Sequence, residues 1–495
     1  MPHTCDADIL TAVVEYEIVI GLEVHAQLLT KSKMFCSCST DYASTPPNTH
    51  VCPICLGMPG VLPTINEKAI EYTVMTALAL NCTIAEYAKF DRKNYPYPDL
   101  MKGYQISQYD APMGKQGWLI IDMDGNKKRV GITRVHLEED VAKLTHCTST
   151  EGENYSLVDV NRSGCPLMEI VGEPDLRSPE EARQYLIKLR SILQYLGVST
   201  GNMEEGSFRC DANISLLPEG SKEYTAKVEV KNMNSFKAVF MAMEYEAQRQ
   251  RQAAAEGKKL VQETRGWLDE KGKTVSQRSK EYAHDYRYFP EPDLPPLVIG
   301  RDWIETVKEK LPELPEARRD RFMAAYGLPL YDAGLLTSSK AMADYFEESV
   351  SQDVTPKEIG NWLLGEVSRI MNASNVDIDG FRKQVSPPVL AGLILSAHGE
   401  INAATAKSVL EEMFRTGKTA AAIIKERGLS QISDTGELEK VVVEVINSNT
   451  QAVADYRAGK ETAVKFLVGQ VMKATRGRAN PQLVNEVLKQ KLAEA

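Results

Sequence analysis

The stretch Met203–Ser215, MEEGSFRCDANIS, decides how the chain is read. With a strand's period of two, Ser207, Arg209, Asp211, Asn213 and Ser215 share one face, while Phe208, Cys210, Ala212, Ile214 and Leu216 share the other. After a turn around Pro218–Gly220, the segment Ala226–Lys231 repeats the pattern. Lys227, Glu229 and Lys231 fall on one side, Val228 and Val230 on the other. Two neighbouring strands with acids, bases and amides over a dry face predict a hairpin of an antiparallel sheet. A wet face in bulk water is the bland alternative, but the Arg/Asp/Asn mixture suits phosphate and metal better than plain solvation does.

Working outward, Tyr16–Ala26 is a second strand, with Ile18, Ile20, Leu22 and Val24 lining one face and Glu17, Glu23 and His25 the other. A carboxylate and an imidazole two residues apart on a strand face can both reach one divalent cation. Ile132–Asp140, ITRVHLEED, is a strand ending in three acids. Strict alternation puts His136 with Glu138 and Leu137 with Glu139, and a bulge at the strand end would turn either glutamate to the pocket. Asp159–Asp175 places Glu169, Val171 and Glu173 on one face. The period then changes. Ser178-Pro-Glu-Glu181 reads as a capping box that opens an apolar-striped helix, and Gly197 stops it. Helices are also expected over Asn66–Asn81 and roughly Ser235–Ala255.

Cys36-Ser-Cys38 and Cys52-Pro-Ile-Cys55 supply four thiolates for tetrahedral Zn²⁺, with unligated turns as the alternative. Four sulfurs leave no open position, so such a zinc is structural. The run Lys89–Gln108 interleaves Lys89, Arg92 and Lys93 with Tyr95, Tyr97 and Tyr104, a composition suited to an anion beside a planar ring.

At 495 residues the chain is long enough for roughly three domains. The four prolines between Pro290 and Pro296 mark one boundary and a softer one lies near 400–410, giving 1–296, an all-helical 297–405 and a tail 406–495. No apolar run of about 18 residues exists to span a membrane. Neither an export signal nor a transit peptide is evident, and Asp6 and Asp8 argue against the latter. An odd number of unevenly placed cysteines fits a reducing compartment, so a cytoplasmic location is expected. A net charge of −10 excludes a general nucleic-acid coat but permits a local basic site. Thr416-Gly417-Lys418-Thr419 imitates the end of a phosphate-binding loop, but Glu412 stands where that motif needs glycine.

YEIVIGLEVHAQL, KFDRKNY, YQISQ, the run from Val158 to Pro179, EEGSFRCDANIS, EVKNMNSF, QETRGW and HDYRYFPEPDLPP together resemble the B subunits of tRNA-dependent amidotransferases. The match spans nearly the whole chain in the family's order. Pro96, Met101 and Val141-Ala142 depart from the family's usual residues, and no acid is lost. The resemblance implies an α+β fold: an antiparallel-sheet cradle resembling the glutamine synthetase fold, then an all-helical domain and a small helical tail. It implies ATP-dependent amidation of Glu-tRNA(Gln), Asp-tRNA(Asn) or both. The side-chain carboxylate is phosphorylated, and ammonia displaces the phosphate. Glu23, His25, Glu139 and Glu169 match the family's magnesium positions, with Asp211 beside them and Glu138 as second choice to Glu139. From charge and face, Lys89, Arg209 and Lys231 are expected to hold phosphates. Neither a Gly-Gly-Ser-Ser amidase signature nor a cysteine glutaminase motif is present, so ammonia is expected from a separate glutaminase (A) subunit, with a small bridging (C) subunit joining the two. Lys460–Ala495 carries seven Lys/Arg against three Glu, which nominates Lys465, Lys473, Arg476 and Arg478 for tRNA backbone. A free-standing carboxylate–ammonia ligase for a small substrate, or a non-catalytic tRNA scaffold, are the competing classes. The first needs no basic tail, and the second needs no acids on the strands.

Overall fold

A computed structural model describes residues 16–494 except 124, 222, 280–284, 352, 430–434, 458–459, 461, 476–478 and 480. The chain divides into two compact units, Met1–Leu314 and Pro315–Ala495.

The first unit is built on a nine-stranded sheet. Its strands are β1 (Tyr16–Gln27), β2 (Thr83–Ile84), β3 (Gly114–Met123), β4 (Asn126–Glu139), β5 (Pro166–Gly172), β6 (Phe208–Pro218), β7 (Val228–Lys231), β8 (Glu263–Leu268) and β9 (Lys273–Ser279). Their order is β9-β8-β7-β6-β1-β5-β4-β3-β2, so β1 lies in the middle. Every pair is antiparallel except β7–β8, which is parallel. A parallel pair needs a crossover, and helix α3 (Phe236–Ala255) provides it. The expected antiparallel character therefore holds with that one exception. The expected strand at 132–140 is the second half of β4, whose charged first half, Lys127 to Arg129, pairs with β3 and breaks the apolar alternation.

The sheet is dry on one face. Ile20, Leu22 and Val24 of β1 and Ala212, Ile214 and Leu216 of β6 are 0–1 % exposed and belong to one core. Helix α1 (Glu67–Ala79), helix α2 (Pro179–Leu196) and α3 contribute Val74, Leu189 and Val239 to it. Each helix starts where a side chain satisfies its orphan amides. Asn66, Ser178 and Ser235 accept from Ala69, Glu181 and Ala238. The capping box expected at α2 is only half present: Glu181 Oε2 takes the N–H of Arg177 at 2.6 Å, one residue before the cap.

The division of the chain falls after Leu314 rather than at the proline run. Val307, on the helix Arg301–Glu309, is fully buried in the first unit's core, with Trp303 and Ile304 packed against it. The described part of the second unit is helical, from Pro315–Tyr326 to Pro481–Glu494. It holds two separate apolar cores, one from Phe322 to Ile424 and one from Leu438 to Leu492. The phosphate-loop look-alike is a helix junction: Gly417 takes a left-handed φ of 69° that closes Ala403–Thr416, and Thr419 caps Ala420–Arg427. No helix among the described residues is long and apolar enough to cross a membrane.

Candidate active site

Strand register assembles the site. Arg209 faces His25, His25 faces Glu169, and Glu169 faces His136, a row across β6, β1, β5 and β4. One pleat along, Asp211 faces Glu23. These residues line a cavity of about 480 Å³ on the polar face of the sheet, joined by Lys93, Tyr95, Arg134, Glu138, Lys231 and Tyr288.

His25, Glu138 and Glu169 offer ligand atoms that all lie within 4.8 Å of one another. His25 Nε2 is 3.7 Å from Glu138 Oε1 and 3.6 Å from Glu169 Oε2, which is also 3.2 Å from His136 Nε2. Burial opposes ionisation of Glu169, yet the His136 and His25 imidazoles hold it well below the usual carboxylate range. Burial likewise opposes protonation of His25, but Glu169, Glu138 and Asp211 outweigh it and raise the imidazole to about 9. Two carboxylates and one imidazole at this spacing fit a hard divalent cation that keeps several waters.

Of the two candidate glutamates, the structure brings Glu138 and not Glu139 to His25 and Glu169. The register shift between β4 and β5 lies earlier, between Val171 and Gly172; from Arg134 to Glu139 the pairing is unbroken, with Glu138 opposite Leu167 and Glu139 opposite Pro166, so alternation persists at the strand end. Glu139 points to the other side of the strand, where Oε1 accepts from the Ile106 N–H at 2.9 Å and pairs with Lys102. Glu138 takes the place beside His25 and Glu169. Glu23 and Asp211 line the cavity but stand outside the tight triad. Glu23 Oε1 accepts from Asn213 at 2.9 Å, and Asp211 pairs with Lys231.

The cations also differ from expectation. Lys89 is absent from the cavity wall, because it pairs with Asp91 and, at 2.5 Å, with Asp110. Lys93 lies in the wall instead, with Nζ 5.7 Å from the Tyr95 ring centre and 5.1 Å from that of Tyr286. Burial opposes its charge, but Glu138 is the largest influence keeping its pKa above the ordinary lysine value. Arg209 and Lys231 are in the wall as expected. Arg209 donates to Asp140 at 3.0 Å, and Lys231 sits between Asp211 and Glu229. Tyr109 and Tyr288 stack at 4.2 Å over the same cavity. Lys93 stood among the basic residues of the sequence run, whereas Tyr288 arrives from the far end of the unit and had no local signal.

Cys36, Cys38, Cys52 and Cys55 form a second cluster, all four sulfurs within 4.8 Å of one another. A hydrogen bond from Cys36 is the main cause holding the Cys55 thiol down at about 5, against burial; the Cys52 N–H, 3.0 Å from its sulfur, and the Lys33 charge add to it. Lys33 is itself buried and donates to the carbonyls of His50 at 2.9 Å and Val160 at 3.3 Å. Cys36 and Cys38 are pushed up in return, the first mainly by its hydrogen bond with Cys55 and the second by burial. Four sulfurs gathered this closely are the donor set that suits zinc. In the tail, Lys465 and Lys473 are exposed on the helix Thr462–Ala474, while Arg476 and Arg478 lie outside the described residues.

The open sheet thus carries a carboxylate–imidazole triad that could hold a divalent cation, with lysine and arginine side chains on its flanks. Residues 18–305 match the family model described as the GatB/GatE catalytic domain, and residues 344–492 match that of the GatB domain. The chain belongs to the GatB family. Proteins named as the B subunit of aspartyl/glutamyl-tRNA(Asn/Gln) amidotransferase are similar to it over almost their whole length. That of Dehalococcoides mccartyi is 63 % identical over 489 residues, covering 97 % of this chain and 99 % of the relative. Those of Carboxydothermus hydrogenoformans and Moorella thermoacetica are 55 % and 57 % identical, covering 97 % of this chain and 99 % and 100 % of the relatives.

Proposed function

We propose that the chain is the B subunit of a tRNA-dependent amidotransferase, and that its sheet cavity phosphorylates the side-chain carboxylate of Glu-tRNA(Gln) and/or Asp-tRNA(Asn) with ATP. The observation that carries this reading is the triad His25, Glu138 and Glu169 set among Lys93, Arg209 and Lys231 in one cavity. A carboxylate is a poor acceptor for ammonia because oxide would have to leave; phosphorylation supplies a good leaving group. Mg²⁺ at the triad would neutralise ATP and the charge that develops on the transferred phosphoryl group. Lys93 and Lys231 hold phosphate oxygens, and Asp211 and Glu229 keep Lys231 in place. The open sheet is read as the cradle of a glutamine synthetase-like fold, and the four-cysteine cluster as a structural zinc site.

Ammonia comes from a separate glutaminase (A) subunit, and a small bridging (C) subunit joins the two in a cytoplasmic heterotrimer. Residues 406–495 are assigned to the tRNA backbone, with Lys465 and Lys473 as contacts. The names carried by relatives matched along their full length do not support a free-standing ligase. The test is Glu169→Gln, and in parallel Glu23→Gln, in the assembled complex. Glu169 faces the cavity rather than the core, so the fold survives. ATP cleavage dependent on mischarged tRNA should fall by orders of magnitude, together with amidation, while glutamine hydrolysis persists. Near-wild-type ATP cleavage in Glu169→Gln would place the site elsewhere.

A further inference from the structure

Two rows of side chains cross the polar face of the sheet on β4, β5, β1 and β6 in turn. One runs His136, Glu169, His25, Arg209, and the next runs Arg134, Val171, Glu23, Asp211. The second row is split. Its acids stand at one end and Arg134 at the other, with Val171 between. Two strand spacings, about 10 Å, separate the Arg134 and Glu23 backbones. Both acids have partners of their own, Asn213 for Glu23 and Lys231 for Asp211. On its other side Arg134 faces Lys115 of β3, a second cation. Arg134 accordingly makes no ion pair among the described residues, and its Nε is buried without a hydrogen-bond partner. Arg209, by contrast, is bonded to Asp140. Gln108, 2 % exposed, lines the same cavity as Arg134. Its Oε1 accepts from the Leu137 N–H at 3.1 Å, which fixes Nε2 as the donor, and Nε2 too is buried without a partner.

We propose that Arg134 and Gln108 receive the side-chain carboxylate of the aminoacyl group on the mischarged tRNA, the acceptor of the phosphoryl group. The inference rests on the phosphoryl-transfer reading above. Buried donors in a folded chain are nearly always paired, so two on one cavity wall mark where an oxygen acceptor lands. Arginine presents a planar fork that matches a carboxylate. Val171, which faces Arg134, brings no competing acid to it. Arg134 lies two residues from His136 on the same strand face, about 7 Å, so a carboxylate held by its fork reaches the triad of His25, Glu138 and Glu169. Lys231, a cation assigned to phosphate, lies on β7, three strands beyond β5 and so across the triad from β4. Donor and acceptor oxygens then flank the triad from opposite sides, as in-line phosphoryl transfer requires. The product side chain is a neutral amide, so the contact that holds the substrate is weakened once the reaction is complete.

Arg134→Gln in the assembled complex tests this, with binding of mischarged tRNA and of its amidated product measured side by side without ATP. The variant should weaken the mischarged form on the order of tenfold or more and the amidated form by less than about twofold. Retained binding of the amidated form also reports that the fold is intact. KM for ATP should stay within about twofold of wild type. Arg134→Lys should recover part of the loss, because it restores the charge but not the fork. Gln108→Glu keeps an acceptor for the Leu137 N–H and replaces the donor, so it should weaken the mischarged form alone. Equal weakening of both tRNAs in Arg134→Gln overturns the proposal and gives the guanidinium to a tRNA phosphate. A rise confined to KM for ATP overturns it too and gives the guanidinium to the nucleotide. So does unchanged binding of mischarged tRNA in both Arg134→Gln and Gln108→Glu. Binding without ATP does not involve the transfer step, so failure of the phosphoryl-transfer reading shows separately, as wild-type ATP cleavage in Glu169→Gln.

Discussion

Glu138 and Glu139 are chain neighbours that serve opposite faces of β4: Glu138 Oε1 lies 3.7 Å from His25 Nε2, whereas Glu139 Oε1 accepts from the Ile106 N–H at 2.9 Å. The two substitutions should therefore separate. Glu138→Gln removes a charge from the triad, so the Mg²⁺ concentration for half-maximal ATP cleavage should rise and the rate should fall by on the order of a hundredfold or more. Glu139→Gln should leave that Mg²⁺ requirement within about twofold, since its carboxylate holds Lys102 and the Ile106 amide instead. Magnesium titrations of ATP cleavage on both variants decide it. Equal shifts would mean that β4 is bulged in the working enzyme.

Purified protein should contain about one equivalent of zinc. Cys55→Ser should lose it, and a thiol reagent should then reach the remaining cysteines faster. Elemental analysis that finds no zinc in freshly reduced protein refutes the assignment of Cys36, Cys38, Cys52 and Cys55.

Charge removal by Lys465→Ala and Lys473→Ala together should weaken tRNA binding and flatten its salt dependence by roughly one unit of slope per lost contact. Glutamine hydrolysis should not change. Unaltered tRNA affinity and slope would sink the tail as a contact surface.

The second unit should carry an acid-sensitive ion network. Arg318, 7 % exposed, pairs with Asp344 at 2.6 Å and with Glu347. Burial opposes ionisation of both carboxylates, but hydrogen bonds from Lys340 and Arg318 to Asp344, and from Arg321 and Arg318 to Glu347, hold them below their ordinary values. Their folded-state pKa values are depressed, so their contribution is complete above about pH 4–5 and is lost as pH falls through the folded values. Arg318→Met should cost about 3 kcal/mol near neutral pH and flatten the acid limb of denaturant midpoints plotted against pH. An acid limb of wild-type steepness would count against the network.

Alternation made much of the site legible. Its period placed Glu23, His25, Glu169, Arg209 and Asp211 on polar faces, and register needed only to bring those faces together. The same rule put Glu138 with His136, and the structure keeps it there, whereas Glu139 rests on the family resemblance alone. Lys89 failed for another reason. Its charge is local, but besides its near neighbour Asp91 it pairs with Asp110, which belongs to a later segment. Tyr288 and the parallel β7–β8 pair share that property, since both depend on segments distant in sequence. The four-cysteine cluster was legible because its two cysteine pairs carry their spacing with them, whereas no local pattern marks Lys33 beneath it.

One consequence of the central position of β1 concerns synthesis rather than catalysis. Its partners are β5 and β6, so Ile20, Leu22 and Val24 gain their neighbours only after residues 166–218 exist. At about 5–20 residues per second, that wait is on the order of ten seconds or longer. Throughout it the nascent chain carries an apolar strand with two unpaired edges, the form most ready to pair with another chain. The strand that supplies His25 is thus also the segment most in need of shielding while the protein is being made.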